Sequence, residues 1–211
     1  MEIKEGRNTT IEDLVLVARR GEKITISEKN KNKILSSRKA VEKIVESGII
    51  KYGITTGFGA FKNKFIDIDQ TEQLQKSLIL SHSVGVGDLL PIDVVRGIMF
   101  VMINYLSKGY SGIKWETLNT LVQMLNKRVH PLVPEKGSVG SSGDLIPSAH
   151  IALVLIGEGE AEYKGKLMMG SQALKKSRIN SVRLSSKEGL AIINNTSAMT
   201  SVSSLLLYDS D

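Results

Sequence analysis

The chain has 211 residues, of which 41% are hydrophobic and 24% charged, and its formal net charge is +6. This composition is ordinary for a water-soluble globular protein, so we expect one large domain or two small ones around a proper core. The absence of cysteine excludes disulfides, thiolate metal sites and a cysteine nucleophile.

Charge and hydropathy patterns argue against several partners. Lysine and arginine are spread along the chain and aromatic residues are only 5%, so no basic, aromatic-rich surface for nucleic acid is predicted. The longest apolar stretches, residues 98–106 and 151–156, are shorter than a membrane span, and no signal peptide is evident. We therefore expect a cytoplasmic protein without membrane or nucleic-acid partners. The three histidines, at positions 82, 130 and 150, lack paired acids at ligand spacing, so no metal site is predicted.

The first half of the chain shows helical periodicity with clear start signals. Thr10 and Asp13 have the spacing of a capping box, which predicts a helix ending near Arg20. Ser27 is placed to cap a second helix that extends to about Gly48. The other elements predicted here are a short strand at residues 24–26 and helices at about 70–82, 92–108 and 115–129.

The second half contains an irregular segment between helices. Residues 130–143 have no helical pattern, and Asp144 follows as the predicted N-cap of a helix that includes the apolar run 151–156. Residues 163–167 predict a small hairpin, and residues 186–208 predict one long helix. The expected fold class is therefore mainly α with a few short strands.

The loop Gly-Ser-Val-Gly-Ser-Ser-Gly-Asp at residues 137–144 has the composition for backbone chemistry. The amide nitrogen of Gly143 can attack the carbonyl carbon of Ser141 if the backbone bends as glycine permits. Loss of one water from that ring, and of the Ser142 hydroxyl as a second water, leaves an exocyclic methylidene, which is a strong electrophile. The alternative interpretation is a flexible Gly/Ser turn.

Four segments decide between these interpretations. Residues 137–150, GSVGSSGDLIPSAH, resemble the signature of the aromatic amino acid ammonia-lyases, which build a methylidene-imidazolone (MIO) group from such a loop. Residues 52–59 (YGITTGFG), 81–87 (SHSVGVG) and 187–196 (KEGLAIINNT) are similar to three further family segments, in the family's order and spacing. On these residues the chain is identified as a member of that family, with most similarity to its histidine-specific branch.

The resemblance implies a reaction and a cofactor. The expected reaction is elimination of ammonia from L-histidine to give trans-urocanate, with the electrophile capturing the substrate amine. The MIO group would form autocatalytically from Ser141, Ser142 and Gly143, with no metal or nucleotide. The loop directly precedes the helix after Asp144, and a helix N-terminus favours the negative charge that develops on the ring oxygen.

The resemblance also implies three further site residues. Tyr52 matches the family's catalytic base; a phenol is a weak acid, so its neighbours must favour the ionised form. His82 matches the position that contacts the substrate side chain, where Ser81-His82 favours histidine over tyrosine or phenylalanine. Asn194 matches the asparagine that holds the substrate and the ring, because its amide can donate to an anionic oxygen.

The fold that the resemblance implies is the N-terminal MIO-bearing domain of the fumarase/aspartase-like helical lyases. Family members are well over twice as long, with a C-terminal helical bundle that supplies tetramer contacts and is missing from this sequence. We expect a catalytic-loop domain at 1–185, the start of the bundle at 186–211, and unpartnered apolar surface at residues 205–207. The complete enzyme would be a homotetramer, and this chain either a fragment or one half of a split enzyme completed by a separate C-terminal chain.

Three positions depart from the family pattern, and two alternatives stay open. Ser141 replaces alanine, Asn195 replaces glycine and Ser197 replaces glutamine. One alternative is a tyrosine or phenylalanine ammonia-lyase, or an aminomutase, on the same scaffold. The other is a non-catalytic subunit that needs a partner chain.

Overall fold

The computed structural model describes residues 1–4, 8–57 and 70–210, and these are mainly α-helical with short strands. Phe58 and Gly59 of the predicted glycine-rich motif lie outside the described residues. The helices are α1 (Ile11–Ala18), α2 (Glu28–Glu46), α3 (Thr71–His82), α4 (Ile92–Leu106), α5 (Trp115–Asn126), α6 (Leu145–Leu155), α7 (Gly170–Lys176), α8 (Glu188–Ile193) and α9 (Ser197–Ser210). The strands are β1 (Glu2–Ile3), β2 (Thr25–Ile26), β3 (Val86–Leu89), β4 (Val129–Pro131), β5 (Pro134–Lys136), β6 (Glu160–Tyr163) and β7 (Lys166–Met169).

Helices α1 and α2 begin where local side-chain chemistry predicts. The Thr10 hydroxyl accepts from the Asp13 amide at 3.2 Å, and the Asp13 carboxylate accepts from the Thr10 amide at 3.3 Å. This reciprocal pair is the predicted capping box. The Ser27 hydroxyl likewise accepts from the Asn30 amide and caps α2. Both predicted helix starts are confirmed.

Helix α4 is the centre of the core, with α1, α5 and α9 packed around it. Ile98, Met99, Met102 and Ile103 on α4 are completely buried. A Cβ on Gly97 would lie 2.1 Å from the Ser201 hydroxyl, so glycine is needed for the close approach of α4 and α9. The same hydroxyl donates to the Val94 carbonyl, which fixes α9 on α4.

Three small sheets connect the helices. β1 pairs with β2 in parallel, β3 with β5 antiparallel, and β4, β6 and β7 form an antiparallel sheet. The predicted hairpin is confirmed: Lys164 and Gly165 both have positive φ, as a two-residue type I′ turn requires. The helix predicted to reach residue 129 ends at Asn126, because Val129 enters β4.

The single helix predicted over residues 186–208 is wrong. It is divided into α8 and α9 at residues 194–196, and Asn195 supplies the hydrogen bonds that a helix interruption leaves open. Its side-chain oxygen accepts from the Ser197 amide at 2.8 Å, and its side-chain nitrogen donates to the Ile192 carbonyl at 2.6 Å. One side chain therefore satisfies the end of α8 and the start of α9.

The interrupted segment bears on the expectation that no membrane is involved. By length and composition alone, the stretch Glu188–Ser210 could cross a membrane, with a mean hydropathy of 1.2. In the fold α8 packs on α3 and α6, and α9 packs on α4 and α1. Leu205 is buried in that packing, contrary to the prediction, whereas Leu206 and Leu207 are exposed as predicted.

Candidate active site

The loop at residues 137–144 connects β5 to α6 in a conformation that glycine makes possible. Ser142 has φ +58° and Gly143 has φ +90°, both in the left-handed region. A Cβ on Gly143 would lie 2.2 Å from the Asn195 carbonyl oxygen. Position 143 therefore excludes every other residue on steric grounds as well as on backbone preference. The serine before it is held in a bent backbone that a side chain rarely adopts.

Asp144 ties the loop to α9. Its backbone N–H donates to the Asn195 carbonyl at 2.5 Å. Its carboxylate accepts from the Ser138 hydroxyl at 2.9 Å and from the Met199 amide, in the first turn of α9, at 2.8 Å. Asp144 is the N-cap residue of α6, as predicted, but its side chain makes no capping hydrogen bond to that helix. The carboxylate bonds to a free amide of α9 instead, where the helix dipole also favours a negative charge.

Two consecutive asparagines hold the loop from the other side. The Asn194 side-chain amide donates to the Ser142 carbonyl at 2.8 Å. The Asn195 side chain also exchanges hydrogen bonds with the Ser148 hydroxyl on α6. Asn195, one of the departures from the family pattern, thus links α6, α8 and α9. We call Asp144, Asn194 and Asn195 the loop clamp.

The other departure in this region has a different environment. Ser197 is buried, and its hydroxyl is the only buried side-chain polar atom without a hydrogen-bond partner in the part of the chain that the structure describes. It borders a cavity of about 420 Å³ behind the loop, which Gly143 and Tyr105 also line. Burial raises the pKa of Tyr105, whose hydroxyl donates to the Ala191 carbonyl at 2.6 Å, so this phenol stays protonated.

A second cavity, of about 490 Å³, brings together four of the predicted site residues: Tyr52, His82, Ser142 and Asn194. They come from segments that are far apart in the sequence, from residue 52 to residue 194. Ser141 is exposed and does not line this cavity, and Gly143 lines only the cavity behind the loop. The remaining wall includes Ser81, which was predicted together with His82. The other residues of the wall, which the sequence did not predict, are Leu74, Ser77, Leu78, Leu145, Leu190 and Ile193.

Tyr52 stands on a turn stabilised by two threonines. The Thr55 hydroxyl accepts from the Lys51 amide and donates to the Ile49 carbonyl, both at 2.8 Å. The Thr56 hydroxyl accepts from the Gly53 amide at 3.3 Å. This turn leaves the Tyr52 side chain 60% exposed at the edge of the cavity.

His82 is the last residue of α3, and its ring contacts the preceding turn. Its Nδ1 lies 2.9 Å from the Leu78 carbonyl oxygen and 3.1 Å from the Ser81 hydroxyl. The Ser81 hydroxyl itself donates to the same carbonyl at 2.9 Å. The ring is therefore anchored on one edge while it lines the cavity.

The other two histidines have partners away from this cavity. His150 Nε2 accepts from the Gly85 amide at 3.1 Å, and burial lowers the pKa of His150. His130 lies 2.5 Å from Glu162 and 3.4 Å from Arg96, and burial lowers its pKa as well. Among the described residues, no group of three or more His, Asp or Glu side chains is placed to hold a metal ion.

Fold and site together define a class of protein: helical, with a bent Ser-Ser-Gly loop beside a cavity that tyrosine, histidine and asparagine line. The chain belongs to the aromatic amino acid lyase family, whose sequence model matches residues 9–211. It is 53% identical to a histidine ammonia-lyase of Alkaliphilus oremlandii, over 97% of this chain and 40% of that protein. The predicted family is thereby confirmed.

Solved structures show the same fold. A phenylalanine aminomutase of Pantoea agglomerans superimposes with a TM-score of 0.94 at 37% identity, over 99% of this chain and 40% of that one. A histidine ammonia-lyase from Trypanosoma cruzi gives 0.90 at 33% identity, over 98% of this chain and 40% of that one. These matches confirm the mainly helical fold class. The chain spans about two fifths of the length of these relatives.

Proposed function

We propose that this chain is the MIO-bearing part of a histidine ammonia-lyase, which converts L-histidine to trans-urocanate and ammonia. The observation that carries the proposal is the single cavity lined by Tyr52, His82, Ser142 and Asn194. The name of the Alkaliphilus relative, at 53% identity, supports histidine as the substrate.

The loop fits MIO formation in its backbone and in its contacts. Closure joins the Gly143 nitrogen to the Ser141 carbonyl carbon and releases that oxygen as water; Ser142 then loses its hydroxyl and its α-hydrogen as a second water. Positive φ values at Ser142 and Gly143 provide the bend, and the loop clamp holds both sides of it. Ser141 is exposed, so a hydroxymethyl group in place of methyl finds room there.

Once formed, the ring would supply an electrophilic methylidene carbon for the substrate amine, which would make the amine a better leaving group. Tyr52 removes the β-proton from the substrate as the general base. The Asn194 amide donates to the Ser142 carbonyl oxygen, which is the ring oxygen after closure, and stabilises negative charge there. His82 contacts the imidazole of the substrate.

The apolar wall of the cavity supports this chemistry. Leu74, Leu78 and Leu190 line it together with the polar residues. Such a wall excludes water and so strengthens the hydrogen bonds and charges that act on the substrate. The wall also offers an apolar surface to any aromatic ring. The polar contact with His82 then determines which aromatic ring is preferred.

A second candidate is an aminomutase, favoured by the TM-score of 0.94 to the Pantoea phenylalanine aminomutase. An aminomutase and an ammonia-lyase share the removal of the amine and differ in whether it is returned to the neighbouring carbon. The product therefore distinguishes them: an α,β-unsaturated acid from a lyase, and a β-amino acid from an aminomutase.

We further propose that residues 186–211 begin the central helical bundle of a cytoplasmic homotetramer. α9 exposes Leu206, Leu207 and Tyr208, at 64%, 52% and 43%. Contiguous exposed apolar side chains of this kind are typical of surfaces that another element covers. A separate C-terminal chain that completes the bundle would cover the same side chains.

The first experiment is the intact mass of the purified chain. A deficit of two waters, mapped to the peptide that contains residues 141–143, is the expected result. The second is an assay of the complete enzyme with L-histidine, L-tyrosine and L-phenylalanine, in which only histidine should be converted and urocanate should appear. An unmodified loop in the complete, folded enzyme contradicts the proposal, and a β-amino acid product replaces it with the aminomutase.

A further inference from the structure

The two ring nitrogens of His82 have different surroundings. Nδ1 lies 2.9 Å from the Leu78 carbonyl oxygen, which can only accept a hydrogen bond. A contact this short requires the proton of the neutral ring to be on Nδ1, because two lone pairs would otherwise face each other. Nε2 then carries the lone pair, and it has no hydrogen-bond partner among the described residues.

Ser81 completes the anchor on the Nδ1 side. Its hydroxyl proton is given to the Leu78 carbonyl at 2.9 Å, so its oxygen accepts from His82 Nδ1–H at 3.1 Å. The Nδ1 proton is thus shared between two acceptors. Replacement of Ser81 removes one of them and leaves the ring and the carbonyl in place.

We propose that Ser81 is a positioning residue that, with the Leu78 carbonyl, holds His82 as the Nδ1–H tautomer and presents Nε2 to the cavity as an acceptor. The substrate class follows from that assignment: a side chain that donates a hydrogen bond, such as an imidazole N–H, is bound better than an unsubstituted phenyl ring. This selectivity rests on the proposed function, which makes the cavity the substrate site. The tautomer itself does not depend on that function.

The other histidines provide internal references. Gly85 can only donate to His150 Nε2, and Arg96 can only donate to His130 Nε2, so both rings also carry the proton on Nδ1. Their acceptor nitrogens are occupied within the fold. Of the three rings, His82 alone keeps Nε2 available in the described part of the chain.

The experiment is a long-range ¹⁵N–¹H correlation spectrum of the histidine-labelled chain at alkaline pH, where neutral rings show their tautomer directly. The His82 signals are those that disappear in His82→Gln. We expect a protonated Nδ1 and an unprotonated Nε2 for His82, as for His130 and His150. A His82 ring that carries its proton on Nε2 overturns the proposal.

Ser81→Ala tests the positioning role, with Ser77→Ala as the matched control. Ser77 lies on the same helix and lines the same cavity, but its hydroxyl accepts from Gln73. Ser81→Ala should shift the His82 tautomer ratio by about fivefold toward the Nε2–H form, the effect of one lost hydrogen bond. Ser77→Ala should not shift it, and unchanged His130 and His150 signals will show that each variant is folded.

The possible failures are separable. If Ser81→Ala leaves the His82 ratio at the wild-type value, Ser81 has no positioning role, whatever the enzyme does. If the tautomer is as expected but the loop loses no water and no urocanate forms, the proposed function fails and the assignment of the ring proton stands. The spectrum is recorded without substrate, so neither result depends on activity.

Discussion

The core around α4 and the loop clamp hold neighbouring parts of the molecule by different forces. On α4, Ile98 and Ile103 are completely buried in apolar surroundings, and their contribution scales with the area removed from water. At the clamp, Asp144, Asn194 and Asn195 act through directional hydrogen bonds of 2.5–2.8 Å to the loop and to α9. Burial fixes where the helices lie, and hydrogen bonds fix the backbone angles of the loop.

This contrast makes two observables separable. The free energy of unfolding should respond mainly to the core, because hydrophobic burial is the dominant favourable term in folding. The fraction of chains that lose two waters should respond mainly to the loop and its clamp, because closure requires one particular backbone geometry. Variants in the two regions should therefore change different measurements.

The largest effect is expected from Ser142→Ala. Without the hydroxyl no methylidene can form, so the mass deficit should be at most one water, and activity of the complete enzyme should be lost. Ser142 is exposed, so the free energy of unfolding should change by less than about 0.5 kcal/mol. Intact mass and urea unfolding measure the two quantities. A two-water deficit that persists in this variant would contradict the assignment of the loop.

Ile103→Ala should have the opposite signature. Ile103 is fully buried on α4, and truncation of such a residue costs about 2–5 kcal/mol of unfolding free energy. At a temperature where the variant is folded, its mass deficit should equal that of the wild type. Leu35→Ala, on the exposed side of α2, is the surface control and should change the stability little. Loss of the mass deficit in a folded Ile103→Ala would remove the distinction between core and clamp.

Asp144→Asn should produce a smaller, mixed effect. The amide retains a single oxygen, which cannot replace both carboxylate oxygens that accept from Ser138 and Met199. We expect the free energy of unfolding to fall by about 1–2 kcal/mol, which urea unfolding measures. The fraction of chains that lose two waters should also fall, which intact mass measures. Ser138→Ala removes only the hydroxyl partner, so it should lower the free energy of unfolding by less than Asp144→Asn does. Equal costs for both variants would show that the bond to α9 is unimportant.

The smallest effect is a pH dependence from His150. Burial lowers its pKa in the folded chain below the unfolded value of about 6.5, so the unfolded chain binds the extra proton. The free energy of unfolding should therefore fall as pH falls below about 6.5. In His150→Gln that decline should be smaller, because glutamine can accept from Gly85 without titrating. If the unfolding free energies of the two proteins, measured in urea at several pH values, decline equally as pH falls, His150 is not the residue responsible.

The sequence predicted well what neighbouring residues decide. The caps at Thr10 and Ser27 involve partners three positions away, so local spacing was sufficient. The break at Asn195 was missed because, besides its local bonds to Ile192 and Ser197, it depends on Ser148, 47 positions distant, and on contacts between helices. The β3–β5 pair was missed for the same reason. Val86 pairs with Lys136, which is distant in the sequence, and no alternation of apolar and polar residues predicts these strands.

The residues predicted to line the cavity are all polar, and neither Ser77 nor the apolar wall was predicted. Motif resemblance pointed to Tyr52, His82 and Asn194, and in the structure all three line one cavity. The leucines of the wall were missed because an apolar residue on a helix predicts burial in general. The pattern does not distinguish a core position from the wall of a cavity. Their spacing on α3, Leu74 and then Leu78, gave the signal that could have found them once His82 was placed on the same helix.

The hydrogen bond from the Met199 amide to the Asp144 carboxylate also sets an order of events during synthesis. The two residues are 55 positions apart, and Met199 is translated later. At about 5–20 residues per second, the ribosome needs about 3–11 s to proceed from one to the other. For that interval the Ser-Ser-Gly loop exists without its tether to α9. The tether that fixes Asp144 can therefore form only after residues 145–198 have been synthesised.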